Sequence, residues 1–83
     1  MATIITYDLA NKHTEVKEAM YALGYANRFY YETKYIYLPN TTLYHEIKTA
    51  ATSRDELMAV CARLNANLER CVATRFVDWA TLG

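Results

Sequence analysis

Few side chains in this sequence can do chemistry. Asp8 lies in the run Tyr7-Asp8-Leu9. A carboxylate at the C-terminal end of a strand can hold a divalent cation such as Mg²⁺ or Mn²⁺, an ion that takes oxygen ligands and, for Mg²⁺, keeps several waters. Such a metal can activate water for phosphodiester cleavage, most readily if a two-fold axis brings two copies of the carboxylate together. The same Asp8 also suits an Asx-turn closing the loop Leu9-Ala10-Asn11. His13 and His45 are the only histidines, and neither stands at a metal-type spacing from a second ligand. The single serine, Ser53, sits where a helix cap is expected, which argues against a Ser/His/Asp triad. Cys61 and Cys71 make no CxxC pair and no Cys/His cluster, so the common zinc patterns are absent and both read as buried thiols. Gly24 is the only internal glycine, which leaves no glycine-rich phosphate loop.

A second group joins cations to aromatic rings. Arg28, Lys34, Arg70 and Arg75 interleave along the chain with Phe29, Tyr30, Tyr31, Tyr35 and Tyr37. Rings and cations on one sheet face can stack bases and contact phosphates. The same residues also suit cross-strand pairing on a sheet face covered by a second copy, with Tyr35 and Tyr37 at the interface of a homodimer. Charge bears on the choice. Lys plus Arg number 9, Asp plus Glu number 9, and the net charge is +0. Proteins that rely on neutralising phosphates carry a basic surplus, so neutrality counts against indiscriminate nucleic-acid binding while allowing a local basic strip.

The elements that position these residues follow from period and punctuation. Thr3 to Leu9 is rich in β-branched residues and reads as a strand. Thr14 is placed to cap a helix, along which Val16, Ala19, Met20 and Leu23 recur on one face. Gly24 supplies a left-handed stop. Asn27 to Tyr31 and Lys34 to Leu38 read as a hairpin around Glu32-Thr33. The missing glycine favours a longer or bulged turn over a two-residue one. Asn40 to Ala51 alternates weakly and suits either a short extra strand or an ordered loop. Ser53-Arg54-Asp55-Glu56 matches the capping box and predicts a helix from Arg54 to Leu64 or Asn65. Leu68 to Val77 is the last strand, with Arg70 and Arg75 on opposite faces. Asp78 to Gly83 is a tail able to extend a partner's sheet edge.

The order predicts one α+β domain spanning residues 1–83: a ferredoxin-like βαββαβ sandwich, with a four-stranded antiparallel sheet carrying two helices on one face. At this size roughly 60–65% of the unfolded surface is buried, a thin margin that dimerisation would widen. No run of about 18 apolar residues is present, so no membrane span is expected. The start lacks a basic, apolar leader, and the expected location is cytoplasmic.

With Tyr7-Asp8-Leu9 closing the first strand, an aromatic hairpin around Tyr31-Glu32-Thr33-Lys34-Tyr35-Ile36, and an amphipathic helix feeding a last strand, the chain resembles the small Cas2-like proteins and the related SinR-type ferredoxin-fold proteins from Thr3 to about Phe76. The resemblance implies a CRISPR-associated homodimer that handles DNA or RNA. It also implies Asp8 as the ligand of Mg or Mn in a weak metal-dependent endonuclease. The alternative from a different class is a small non-enzymatic protein-interaction module, of the kind phages encode, acting through its Tyr-rich sheet face or edge.

Overall fold

Strict alternation along β1 (Thr3–Leu9) organises the molecule: Thr3, Ile5, Tyr7 and Leu9 are buried, while Ile4, Thr6 and Asp8 face the other way. The computed structural model describes residues 1–82. After β1 come α1 (His13–Ala22), β2 (Arg28–Tyr31), β3 (Lys34–Tyr37), β4 (Thr42–His45), α2 (Ala50–Leu64) and β5 (Leu68–Arg75). β1 is central in a three-stranded antiparallel sheet of order β4-β1-β5. Val16 and Met20 of α1 and Leu57, Val60 and Cys61 of α2 close over the buried side of β1, together with Tyr25 and Leu43. Each fully buried aliphatic of this kind contributes roughly 1.5–3 kcal/mol through loss of water contact. Both helices therefore cover one face of the sheet, and the face bearing Ile4, Thr6 and Asp8 is free of them.

The expected four-stranded sheet is replaced by two smaller ones. β2 and β3 pair only with each other. The place beside β1 goes to β4, from the segment that sequence alone left between strand and loop. Thr3 to Thr6 pair with His45 to Thr42, and this register turns Leu43 and His45 toward the helices. Lys34 to Tyr37 cannot take that place because Pro39 and the left-handed Thr41 (φ 58) redirect the chain first. The hairpin's backbone joins the main sheet through one antiparallel bridge, in which Ala26 and Tyr44 exchange N–H···O bonds of 2.9 and 2.8 Å. Its turn is shorter than expected. Tyr31 pairs with Lys34, and Glu32 adopts φ 56 in the two-residue turn despite its side chain.

Both helix starts differ from expectation. α1 begins at His13 after a left-handed Lys12 (φ 57), without a side-chain cap from Thr14. Lys12 instead donates to the Leu64 carbonyl at 2.6 Å. α2 begins at Ala50, with Thr49 as its cap accepting the Thr52 N–H at 3.1 Å. Ser53 is therefore an interior helix residue, fully buried, and Glu56 points to Lys48 and Tyr25 in place of a cap. The earlier Thr captures the helix start because it lets Ser53 and Leu57 face the core on the same stripe. Gly24 (φ 96) ends α1 as expected, and Asn65 (φ 55) ends α2. The last strand stops at Arg75, and the tail runs back over the hairpin through Trp79; Gly83 lies outside the described residues. Cys61 and Cys71 are free thiols. Among the described residues no helix is long and apolar enough to cross a membrane.

Candidate functional site

The β2–β3 hairpin has two unlike faces. Its inner face carries Phe29 and Ile36, both buried. Phe29 meets Phe76 and Trp79 edge-on, each at 5.0 Å between ring centroids, and Tyr44 at 5.3 Å. Tyr31 adds a 4.8 Å edge contact to Trp79. Edge-to-face pairs at these separations are each worth about 0.5–1.5 kcal/mol beyond area burial, so ring packing anchors a hairpin that a single bridge would hold loosely.

The outer face carries Arg28, Tyr30, Tyr35 and Tyr37, brought together because Arg28 pairs with Tyr37 and Tyr30 with Tyr35. Tyr30, Tyr35 and Tyr37 are 61%, 49% and 64% exposed. They touch one another all the same. Tyr30 and Tyr35 meet edge-on at 5.1 Å. The Arg28 guanidinium lies 4.1 Å from the Tyr35 ring centroid and donates from Nη1 to the Tyr37 hydroxyl at 3.1 Å. That hydrogen bond holds the Arg28 pKa above its ordinary value. Tyr and Arg are the residue types that dominate hot spots in interfaces, because they offer large, stiff contact area with a polar end.

The four cations singled out in the sequence do not gather on one surface. Arg28 lies on the outer hairpin face, whereas Lys34 alternates to the inner side opposite Tyr31. Arg70 lies on the helix-free side of the sheet, paired with Asp8, and Arg75 is paired with Thr3 on the other side. Asp8 itself is engaged: its Oδ2 accepts the Arg70 Nε–H at 2.6 Å across β1 and β5. The guanidinium occupies one carboxylate oxygen of Asp8, and a divalent ion bound there would have to displace this exposed pair. Among the described residues no group of three or more His, Cys, Asp or Glu side chains stands close enough to hold a metal.

The buried polar groups belong to the scaffold. The His45 Nδ1 accepts the N–H groups of Ile47 and Lys48 at 3.2 and 3.3 Å, and its ring meets Tyr25 edge-on at 4.9 Å. Lys48 Nζ donates to both Glu56 oxygens at 2.7 and 3.0 Å, and to the Leu23 carbonyl at 3.1 Å. The Tyr25 hydroxyl donates to Glu56 Oε1 at 2.7 Å. Burial pushes the Tyr25 hydroxyl up to about 12. Burial also pushes the Glu56 carboxyl upward, but the Lys48 and Tyr25 hydrogen bonds and the Lys48 and His45 charges outweigh it and leave it below its ordinary value. A carboxyl lowered on folding contributes stability that is complete above its unfolded value of about 4.3 and is lost as pH falls through the folded value. Thermal melts between about pH 6 and pH 2 should therefore show Glu56→Gln with a flatter acid limb than the parent, the gap closing at the lowest pH. The Tyr7 hydroxyl is buried without a partner, and burial pushes it up to about 12, with Tyr21 and Cys61 adding to the rise.

Phe76 and Trp79 are the functional candidates that sequence reasoning missed. The signal available was the alternation that sends Phe29 and Ile36 to one side of the hairpin, a side that needed a cover. Comparison with known proteins finds no matching family model, no matching curated protein and no matching solved structure.

Proposed function

We propose that this chain is a non-catalytic interaction module, that its recognition surface is the outer face of the β2–β3 hairpin, and that its first partner is a second copy of itself. The observation that carries the reading is the mutually packed set of Arg28, Tyr30, Tyr35 and Tyr37, exposed to solvent on a hairpin whose other face is already anchored. Three large rings held half-exposed give up favourable burial that a partner would restore. A two-fold pairing sets the Arg28 of one copy against the tyrosines of the other, a cation–π exchange that strengthens as water leaves. The neutral net charge adds no repulsion between copies. Sedimentation equilibrium tests it. The parent should show a concentration-dependent dimer, and Tyr35→Ala with Tyr37→Ala should weaken it by about tenfold or more. A parent that stays monomeric at high micromolar concentration overturns the dimer reading.

A second reading keeps the Cas2-like resemblance: a nucleic-acid-associated ferredoxin-like homodimer. Two features favour it. β1 lies between β4 and β5 with β2 tethered beyond β4 through Ala26 and Tyr44, the neighbour relations of a ferredoxin-like sheet. Arg28 also keeps unused guanidinium donors beside exposed rings, which suits a phosphate and a stacked base. Metal-dependent cleavage in this reading requires Asp8 to leave Arg70 and meet a second carboxylate from another copy. A gel-shift and nuclease assay with and without Mn²⁺, run beside Asp8→Asn, separates the readings. Binding that falls with added salt, or cleavage lost in Asp8→Asn, favours nucleic acid, and neither effect favours the protein module.

A further inference from the structure

The inner side of the hairpin borders a cleft as well as packed rings. Between the hairpin, the helix-free face of the main sheet and the C-terminal tail lies an open cavity of about 480 Å³. Ile4 of β1 and Thr42 of β4 line it from the sheet, Phe29 and Ile36 from the hairpin, and Phe76 and Trp79 from the segment after β5. Its aromatic side is formed already, because Phe29, Phe76 and Trp79 hold one another at 5.0–5.7 Å. We propose that this cleft is a binding site for an uncharged small molecule built on a flat aromatic ring system.

Size, shape and charge each bear on the ligand class. Small-molecule sites occupy about 300–1,000 Å³ and are mostly apolar with a few polar groups. Three rings beside the cavity offer edge and face contacts to a flat aromatic guest. Not one Asp, Glu, Lys, Arg or His lines the cleft among the described residues. A charged ligand group would lose its hydration there with no counter-charge to meet it, so the complementary ligand is neutral. The hydroxyls of Thr42 and Thr81 remain to orient one polar atom of the guest. Strand alternation sets most of the lining on the opposite face of the hairpin from the proposed self-association surface, and of that surface's four residues Tyr37 alone also borders the cleft.

Trp79 is the only tryptophan in the chain and reports on the cleft directly. The probe is neutral N-phenyl-1-naphthylamine, compared with its anionic relative 8-anilinonaphthalene-1-sulfonate. We expect saturable binding of the neutral probe, one per chain, with quenching of Trp79 emission, and affinity for the sulfonate about tenfold or more weaker. Thr42→Phe should fill the sheet side and lower affinity for the neutral probe by about tenfold or more. Ala80→Phe, placed in the tail outside every strand and helix, repeats the block without touching the core. Tyr35→Ala, on the outer face, should leave probe affinity unchanged whatever it does to association. Non-saturating uptake, equal affinity for the sulfonate, or unchanged affinity in a folded filling variant overturns the proposal. So does probe uptake that falls as protein concentration rises, since a second copy would then be the occupant.

Discussion

Replacing Leu43 by alanine should destabilise the domain by about 3 kcal/mol, within the roughly 2–5 kcal/mol span of buried Leu→Ala changes. Leu43 is fully buried among the core side chains that β1 and the two helices supply. Truncation removes its transfer energy and leaves a cavity that a strand fixed on one side by β1 cannot close. A domain of this length has a total stability of about 4–12 kcal/mol. The variant should therefore show a sharply lowered urea midpoint with little change in slope, the mark of lost stability in an unaltered fold. Ile47→Ala is the control. Ile47 lies shortly after the same strand but is 71% exposed, and its loss should cost less than about 0.5 kcal/mol. If Asn40 to Ala51 were only an ordered loop, Leu43 and Ile47 would behave alike.

Gly24→Ala should be nearly as damaging, by a different route. Gly24 has φ +96, where any side chain is strained, and an added Cβ would stand 2.9 Å from Nε2 of His45. Strain in that region costs on the order of 1–3 kcal/mol. Displacing the His45 ring also disturbs the acceptor of the Ile47 and Lys48 N–H groups and its edge contact with Tyr25. The expected total is about 2–3 kcal/mol in chemical denaturation. A double-mutant cycle with His45→Ala separates the parts. The collision is relieved in the double variant, so the two losses should sum to more than the combined loss, while the backbone strain persists.

These two positions mark where the sequence was legible and where it was not. Gly24 could be read directly, because a lone glycine after a helical stripe has few other uses, whereas the exit of α2 suited either Asn65 or Asn67. β1 was read to its end residues, since seven residues of β-branched and apolar alternation leave little ambiguity. β4 was not. Four residues are too few to establish a period, and His45 is a polar residue turned inward by tertiary contacts that local patterning does not reveal. The start of α2 was missed because two hydroxyl residues four apart, Thr49 and Ser53, both suit a cap, and burial of Ser53 decides between them. At the candidate site, the tyrosines were visible as a group, but their division from Phe29 and Ile36 depends on the register Arg28–Tyr37, which the unexpected two-residue turn determines. The Asp8–Arg70 pair required the register between β1 and β5, which no short motif encodes.

A dilution series followed by ¹⁵N–¹H NMR shows whether the outer hairpin face is where this chain meets its partner. Amide shifts should change with protein concentration in Arg28, Tyr30, Tyr35 and Tyr37 and their hairpin neighbours, while those of β5 and the two helices stay still. Concentration-dependent shifts centred on the free edge of β5, or spectra unchanged across the series, would contradict it.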